Sequence, residues 1–247
     1  MNQIDEKPVA LITGGAVRVG RAIAIGLADA GFDIAITYLT SSAPSEGLRQ
    51  IVQSKGRNFL AIRAQLEDPE SAAEEISKHV TATFRRLDVL VNNASLYAPD
   101  AIGPEATAQS RKFWAIHVES PLLLSRIFSP MLKSAGGCIV NMVDLQAERP
   151  IPNYLAYCAS KAALWNLTLG LARQLAPQVR VNAIAPGVVE WPPDLPNDKR
   201  EQYLRRVPLA RAGTPQDVAN AVEFLVTRAP YMTGQILRID GGRSIVG

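Results

Sequence analysis

The chain has 247 residues, 47% hydrophobic and 20% charged, with 26 Lys/Arg against 23 Asp/Glu and a formal net charge of +3. Two cysteines and two histidines exclude a disulfide framework and a Cys/His zinc site. No Lys/Arg run or basic face favours nucleic acid. The polar start MNQIDEKP is no signal peptide, and no run approaches the ~18–20 apolar residues of a membrane span, so a cytoplasmic protein with no membrane contact is expected.

Short β-branched runs at 9–13, 33–38, 59–63, 89–92, 138–143, 179–184 and 236–239 predict seven strands. Their near-continuous apolar character suits a parallel sheet covered on both faces. Helical patterns lie between them, for example at 20–30, 69–84, 110–133 and 154–175. Pro69 and Pro215 stand where a first helical turn accepts proline. The alternation predicts a Rossmann-type, doubly wound α/β sheet with helices on both faces, built as a single domain over 1–247. The proline-dense stretch PGVVEWPPDLP follows a strand, and a substrate loop is expected over about 188–206.

The first strand runs into Thr13-Gly14-Gly15-Ala16-Val17-Arg18-Val19-Gly20 and then a helix. Glycines there let the backbone approach a pyrophosphate seated on the helix N-terminus, although such a turn can also be purely structural. Arg18 strengthens the anion reading, because a cation at a positive helix N-terminus is unfavourable unless an anion compensates. The second strand ends Thr37-Tyr38-Leu39-Thr40-Ser41-Ser42 without a carboxylate, which favours the 2′-phosphate of NADP(H) over the free ribose of NAD.

Tyr157 and Lys161 stand one helical turn apart on one face, and an ammonium beside a phenol is expected to lower the phenol's pKa and make it a proton donor. Alone, the pair reads better as a packed tyrosine and a surface lysine, and its context changes that. Asn92-Asn93-Ala94-Ser95, Asp144 and Pro186-Gly187 follow three further strands, at the edge where open α/β sheets hold ligands.

TGGAVRVG, NNAS, YxxxK and PG in this order resemble the short-chain dehydrogenase/reductase family over essentially the whole chain. The arginine in the glycine loop, NNAS, NMVD, RVNAIAPG and TGQILRIDGG are most similar to pteridine reductases. So is Asp144, thirteen residues before Tyr157, where most relatives carry a serine.

The resemblance implies NADPH as cofactor and Asp144, Tyr157 and Lys161 as catalytic residues. It places Gly14, Arg18, Val19, Gly20, Tyr38, Thr40, Ser41, Gln65, Leu66, Asn93, Ala94, Ser95, Met142, Pro186, Gly187 and Val188 at the cofactor, with Tyr157 and Lys161. Arg18, Ser95, Tyr97, Asp144, Tyr157 and Trp191 would meet the substrate, Tyr97 by stacking.

Three positions depart from the family: His117 replaces an asparagine, Gln65 an acid near the adenine, and Thr40 an arginine near the 2′-phosphate. The expected function is NADPH-dependent reduction of a C=N bond in a pterin or folate by a homotetramer. One alternative is a reductase of a carbonyl or enoyl substrate; the other is a non-catalytic NADP-binding sensor.

Overall fold

The computed structural model describes residues 7–246 except 101, 104–105 and 192–194, so Pro192 and Pro193 of the expected substrate loop lie outside the described residues. Seven parallel strands form one sheet in the order β3-β2-β1-β4-β5-β6-β7. They are β1 Val9–Ile12, β2 Asp33–Tyr38, β3 Phe59–Arg63, β4 Val89–Asn92, β5 Cys138–Met142, β6 Arg180–Pro186 and β7 Ile236–Ile239. Strand order reverses between β1 and β4, the switch point that makes a crevice at the strands' carboxyl ends.

Alternation along each strand feeds two cores. Ala10 and Ile12 of β1 pack on one face with Ile23 and Leu27 of α1 (Arg18–Asp29) and Val218 and Val222 of α9 (Pro215–Thr227). Val9 and Leu11 turn to the other face, against Ile76 of α3 (Pro69–Phe84), Leu124 of α5 (Ser120–Ile127) and Leu171 of α7 (Leu155–Leu175). Burial on both sides explains why the strands read as unbroken apolar runs. One polar seam crosses this core: Asn92 Nδ2 donates to Asn141 Oδ1 at 2.8 Å, and Asn141 Nδ2 to Thr168 Oγ1 at 2.9 Å. It holds β4, β5 and α7 in register, with Asn92 opposite Asn141.

The sequence predicts one helix over 110–133, and the structure divides it. The segment comprises α4 (Ala106–Trp114), a π-helical turn at Ala115–Glu119, α5, and α6 (Ser129–Ala135). Pro121 and Pro130 fall in the first turns of α5 and α6, where the missing N–H is tolerated and a new helix is favoured. Inside the expected 188–206 loop lies α8 (Asn197–Leu204), whose residues are all at least partly exposed, so no apolar stripe announces it. The remaining helix, α2 (Ser42–Ser54), links β2 to β3.

Candidate active site

The carboxyl edge of the sheet gathers most of the expected residues. Gly14, Arg18, Val19 and Gly20 follow β1. Tyr38 ends β2 ahead of Thr40 and Ser41, and Gln65 and Leu66 follow β3. Asn93, Ala94, Ser95 and Tyr97 follow β4, Met142 ends β5 just before Asp144, and Pro186 ends β6 ahead of Gly187 and Val188. Tyr157 and Lys161 enter from the first turns of α7.

The glycine loop is packed against the segment after β4. Gly14 has φ +63°, a conformation that disfavours a side chain, and a Cβ on Gly20 would sit 2.3 Å from the Gly14 carbonyl oxygen. Asn93 Nδ2 donates to the carbonyls of Thr13 (2.8 Å) and Gly14 (3.2 Å), and the N–H groups of Asn93 and Ala94 donate to Thr13 Oγ1. The Asn93 amide is therefore committed to shaping the loop. Helix α1 opens at Val17 with no side-chain cap and no acid in its first turn. Arg18, at φ +51°, reaches out of that turn to Glu190 beyond β6.

Asp144 and Tyr157 form the chemical centre. The Tyr157 hydroxyl donates to Asp144 Oδ2 at 2.8 Å, and the Gln146 N–H donates to Oδ1 at 2.8 Å. Burial pushes the Asp144 carboxyl above its usual range, opposed by those two hydrogen bonds. Lys161 is 2% exposed and donates from Nζ to the Met142 carbonyl at 2.9 Å. Burial lowers its pKa from 10.5 to about 8.

The expectation that Lys161 depresses the tyrosine pKa is corrected here. Burial, and then the neighbouring Asp144, raise Tyr157 well above 10, and Nζ lies 5.9 Å from the ring centroid. A phenol held neutral beside a carboxylate remains a proton donor across the physiological range.

His117 lies on the π-helical turn, 1% exposed, and links two segments. Its Nε2 accepts from the Leu96 N–H at 3.2 Å and lies 2.9 Å from Ser95 Oγ. Because Nε2 is an acceptor, the proton sits on Nδ1 and is donated to Ser160 Oγ (2.8 Å), which donates in turn to the Tyr157 carbonyl (2.7 Å). Burial and Lys161 depress the His117 pKa from 6.5 to about 2, so the ring stays neutral.

Tyr97 stacks on Tyr154 with centroids 4.6 Å apart and meets Tyr157 edge-on at 4.9 Å. Trp191 stands instead against Tyr203, edge-on at 5.5 Å, under the guanidinium of Arg200.

Sequence reasoning assigns no individual role to Tyr154, Gln146, Ser160, Glu190 or Asp100, although Glu190 falls within the expected 188–206 loop and Asp100 within the segment 95–102 expected beside the substrate. Asn153, a favoured capping residue type just ahead of α7, hides the need for Asp100, because in the structure the helix has no side-chain cap of its own. Among the described residues no cluster of three or more His, Cys, Asp or Glu side chains could hold a metal ion, and no helix is long and apolar enough to cross a membrane.

Comparison with known proteins places the fold in a family. Residues 15–244 match the family described as enoyl-(acyl carrier protein) reductase. The 3-oxoacyl-(acyl-carrier-protein) reductase of Staphylococcus aureus is 33% identical over 242 residues, covering 94% of this chain and 96% of its own. The acetoin dehydrogenase structure from Enterobacter cloacae superposes with a TM-score of 0.89 at 31% identity, covering 100% of this chain and 98% of that one. A mutant short-chain dehydrogenase/reductase from Serratia marcescens does so with a TM-score of 0.89 at 34% identity, over 96% and 98% of the two chains. The carboxyl-edge crevice, the glycine loop and the Tyr157/Lys161 pair thus sit in a chain that belongs to the short-chain dehydrogenase/reductase family.

Proposed function

We propose that the protein is an NADPH-dependent reductase whose acceptor is a C=N bond in a pterin-like heterocycle. The observation that carries this reading is the hydrogen bond from the buried Tyr157 hydroxyl to the half-buried Asp144 carboxyl. A ketone gathers negative charge on oxygen as hydride arrives. Against a carboxylate 4 Å away that charge is opposed by about 4 kcal/mol at an effective dielectric near 20. An imine nitrogen is far more basic than a ketone oxygen and can take its proton before hydride arrives, so no anion builds there.

The residues present fit NADPH. Helix α1 starts without an acid or a side-chain cap, which leaves its first N–H groups for a pyrophosphate, and the turn after β2 carries Thr40 and Ser41 rather than a carboxylate. Gly14, Arg18, Val19 and Gly20 would hold the pyrophosphate, Thr40 and Ser41 the 2′-phosphate, and Lys161 the nicotinamide ribose. The cofactor, when bound, supplies the hydride. Tyr157 would relay to the acceptor nitrogen the proton of the Asp144 carboxyl, whose pKa burial raises, so the charge left behind rests on Asp144 and no phenolate forms beside it, and Tyr97 offers an aromatic face to the heterocycle.

A second reading is favoured by the relatives. Their printed names are a 3-oxoacyl reductase, an enoyl reductase family and an acetoin dehydrogenase, which support the carbonyl-or-enoyl alternative better than the pterin one. One experiment separates them: NADPH consumption with dihydrobiopterin, dihydrofolate, acetoin and a 3-oxoacyl thioester, for the wild type and Asp144→Ser. The pterin reading expects wild-type turnover of the pterins, with Asp144→Ser losing it far more than NADPH binding. Wild-type turnover of only the ketone or thioester establishes the second reading. NADPH binding without any turnover leaves a cofactor-binding sensor.

A further inference from the structure

Asp100 belongs to the loop after β4, yet its carboxylate is 7% exposed and lies under the start of α7. Its Oδ1 accepts the Leu155 N–H at 2.8 Å, and its Oδ2 accepts the N–H groups of Ala156 (2.6 Å) and Tyr157 (3.4 Å). Its own N–H donates to the Asn153 carbonyl at 2.7 Å, across a turn in which Asn153 has φ +64°.

Helix α7 has 21 residues, no acid in its first turn, and at Tyr154 no side-chain cap. A helix start leaves its first N–H groups unpaired, and a buried start must find acceptors elsewhere. Here one carboxylate from a segment 55–57 residues away supplies them. A negative charge there is also favoured by the helix dipole.

We propose that Asp100 is a positioning residue for the reaction: it fixes the N-terminal turn of α7 and so sets where the Tyr157 hydroxyl stands against Asp144. Three observations beyond capping support this. One of the three N–H groups is that of Tyr157 itself. The same loop places the Tyr97 ring 4.9 Å from the Tyr157 ring and 4.6 Å from that of Tyr154. The loop's other end is tied to the same helix through Leu96, His117 and Ser160, ending on the Tyr157 carbonyl. The loop that carries Tyr97 and the helix that carries Tyr157 therefore move together, and a shift of the helix start would be passed to the phenol.

The inference rests on the reductase reading of the site, and its test reads placement as well as rate. Asp100→Asn retains one acceptor oxygen with nearly the same shape, and Asp100→Ala removes both. Amide exchange at Leu155–Tyr157, kcat, the KM for NADPH and crystal structures are compared with the wild type.

The expected result is loss of exchange protection at those amides, partial in Asp100→Asn and larger in Asp100→Ala. With it, kcat should fall roughly 10- to 100-fold, the scale for misplacing a reacting group by about 1 Å, while the KM for NADPH changes less than about twofold. Recovery of most of the rate in Asp100→Asn relative to Asp100→Ala belongs to the same expectation. Lost protection with unchanged kcat would make Asp100 a cap and nothing more, and overturns the proposal, as does unchanged protection.

Should Asp100→Ala not fold, Asp100→Asn alone carries these criteria. If the wild type reduces no acceptor, only the reductase reading fails. The Tyr157 hydroxyl in crystals of Asp100→Asn then decides: displacement from Asp144 supports the proposal, and superposition overturns it.

Discussion

Lys161 gives the sharpest quantitative test, because its place in the site and its effect on stability pull in opposite directions. The side chain is buried at the base of the crevice, and its pKa falls from 10.5 to about 8. At pH 7 the folded protein must hold an ammonium that the unfolded chain solvates freely, which costs the fold about 3 kcal/mol. Lys161→Met keeps the unbranched stem of the side chain without its terminal nitrogen and removes that cost, while the bond to the Met142 carbonyl is lost, at about 1–3 kcal/mol. The variant is therefore expected to be between equal to the wild type and about 2 kcal/mol more stable at pH 7, worth up to about 4–8 °C in Tm for a chain of this size.

The pH dependence follows from the same pKa. The unfolded lysine binds its proton up to 10.5 and the folded one only to about 8, so wild-type stability rises with pH between those values. From pH 7 to 9.5 the wild type should gain about 2 kcal/mol relative to Lys161→Met. Urea unfolding of both proteins at the two pH values measures this. A variant more than about 1 kcal/mol less stable at pH 7, or a difference that does not change with pH, would refute the reasoning, whatever happens to activity.

Two further outcomes are expected. His117→Leu leaves the Leu96 N–H without its acceptor and should cost about 1–3 kcal/mol. Because the folded ring titrates only near pH 2, the wild type should lose about 2 kcal/mol more than this variant between pH 7.5 and 5, and a parallel loss in urea unfolding would contradict a neutral ring. Glu190→Gln frees Arg18 from an exposed ion pair worth about 0.2–1 kcal/mol, so NADPH should bind about 1.5- to 5-fold more tightly. The gain should vanish in high salt, and weaker binding by fluorescence titration would argue against Arg18 facing the phosphates.

The sheet was legible because parallel strands buried on both faces can be written almost only in Val, Ile, Leu and Ala, as in Val9–Ile12 and Val89–Asn92. The glycine loop and Asp144 were legible because the motif order and the family resemblance put them at strand carboxyl ends, and Tyr157 and Lys161 because a four-residue spacing puts them on one helix face. Division of the 110–133 segment was less so, since a helical period continues across proline when a new first turn begins at Pro121 or Pro130. What could not be read is what depends on distant partners. Nothing local to Asp100 points to amides 55–57 residues on, and nothing local to Tyr157 shows that burial, and then a carboxylate, would set its pKa.

The pairing of β1 with β4 has a consequence for biosynthesis. Ala10 meets Val89, Leu11 meets Leu90 and Ile12 meets Val91, so β1 waits for the chain to pass residue 91 before its second neighbour exists. Until then a nascent chain can lay β2 and β3 on one side of β1, while its other edge, VALI and wholly apolar, stays open to any passing strand. The residues that close that edge lie directly ahead of Asn93, whose amide shapes the glycine loop. Closing the β1–β4 seam thus covers an open apolar strand edge and, in the same step, completes the first half of the crevice.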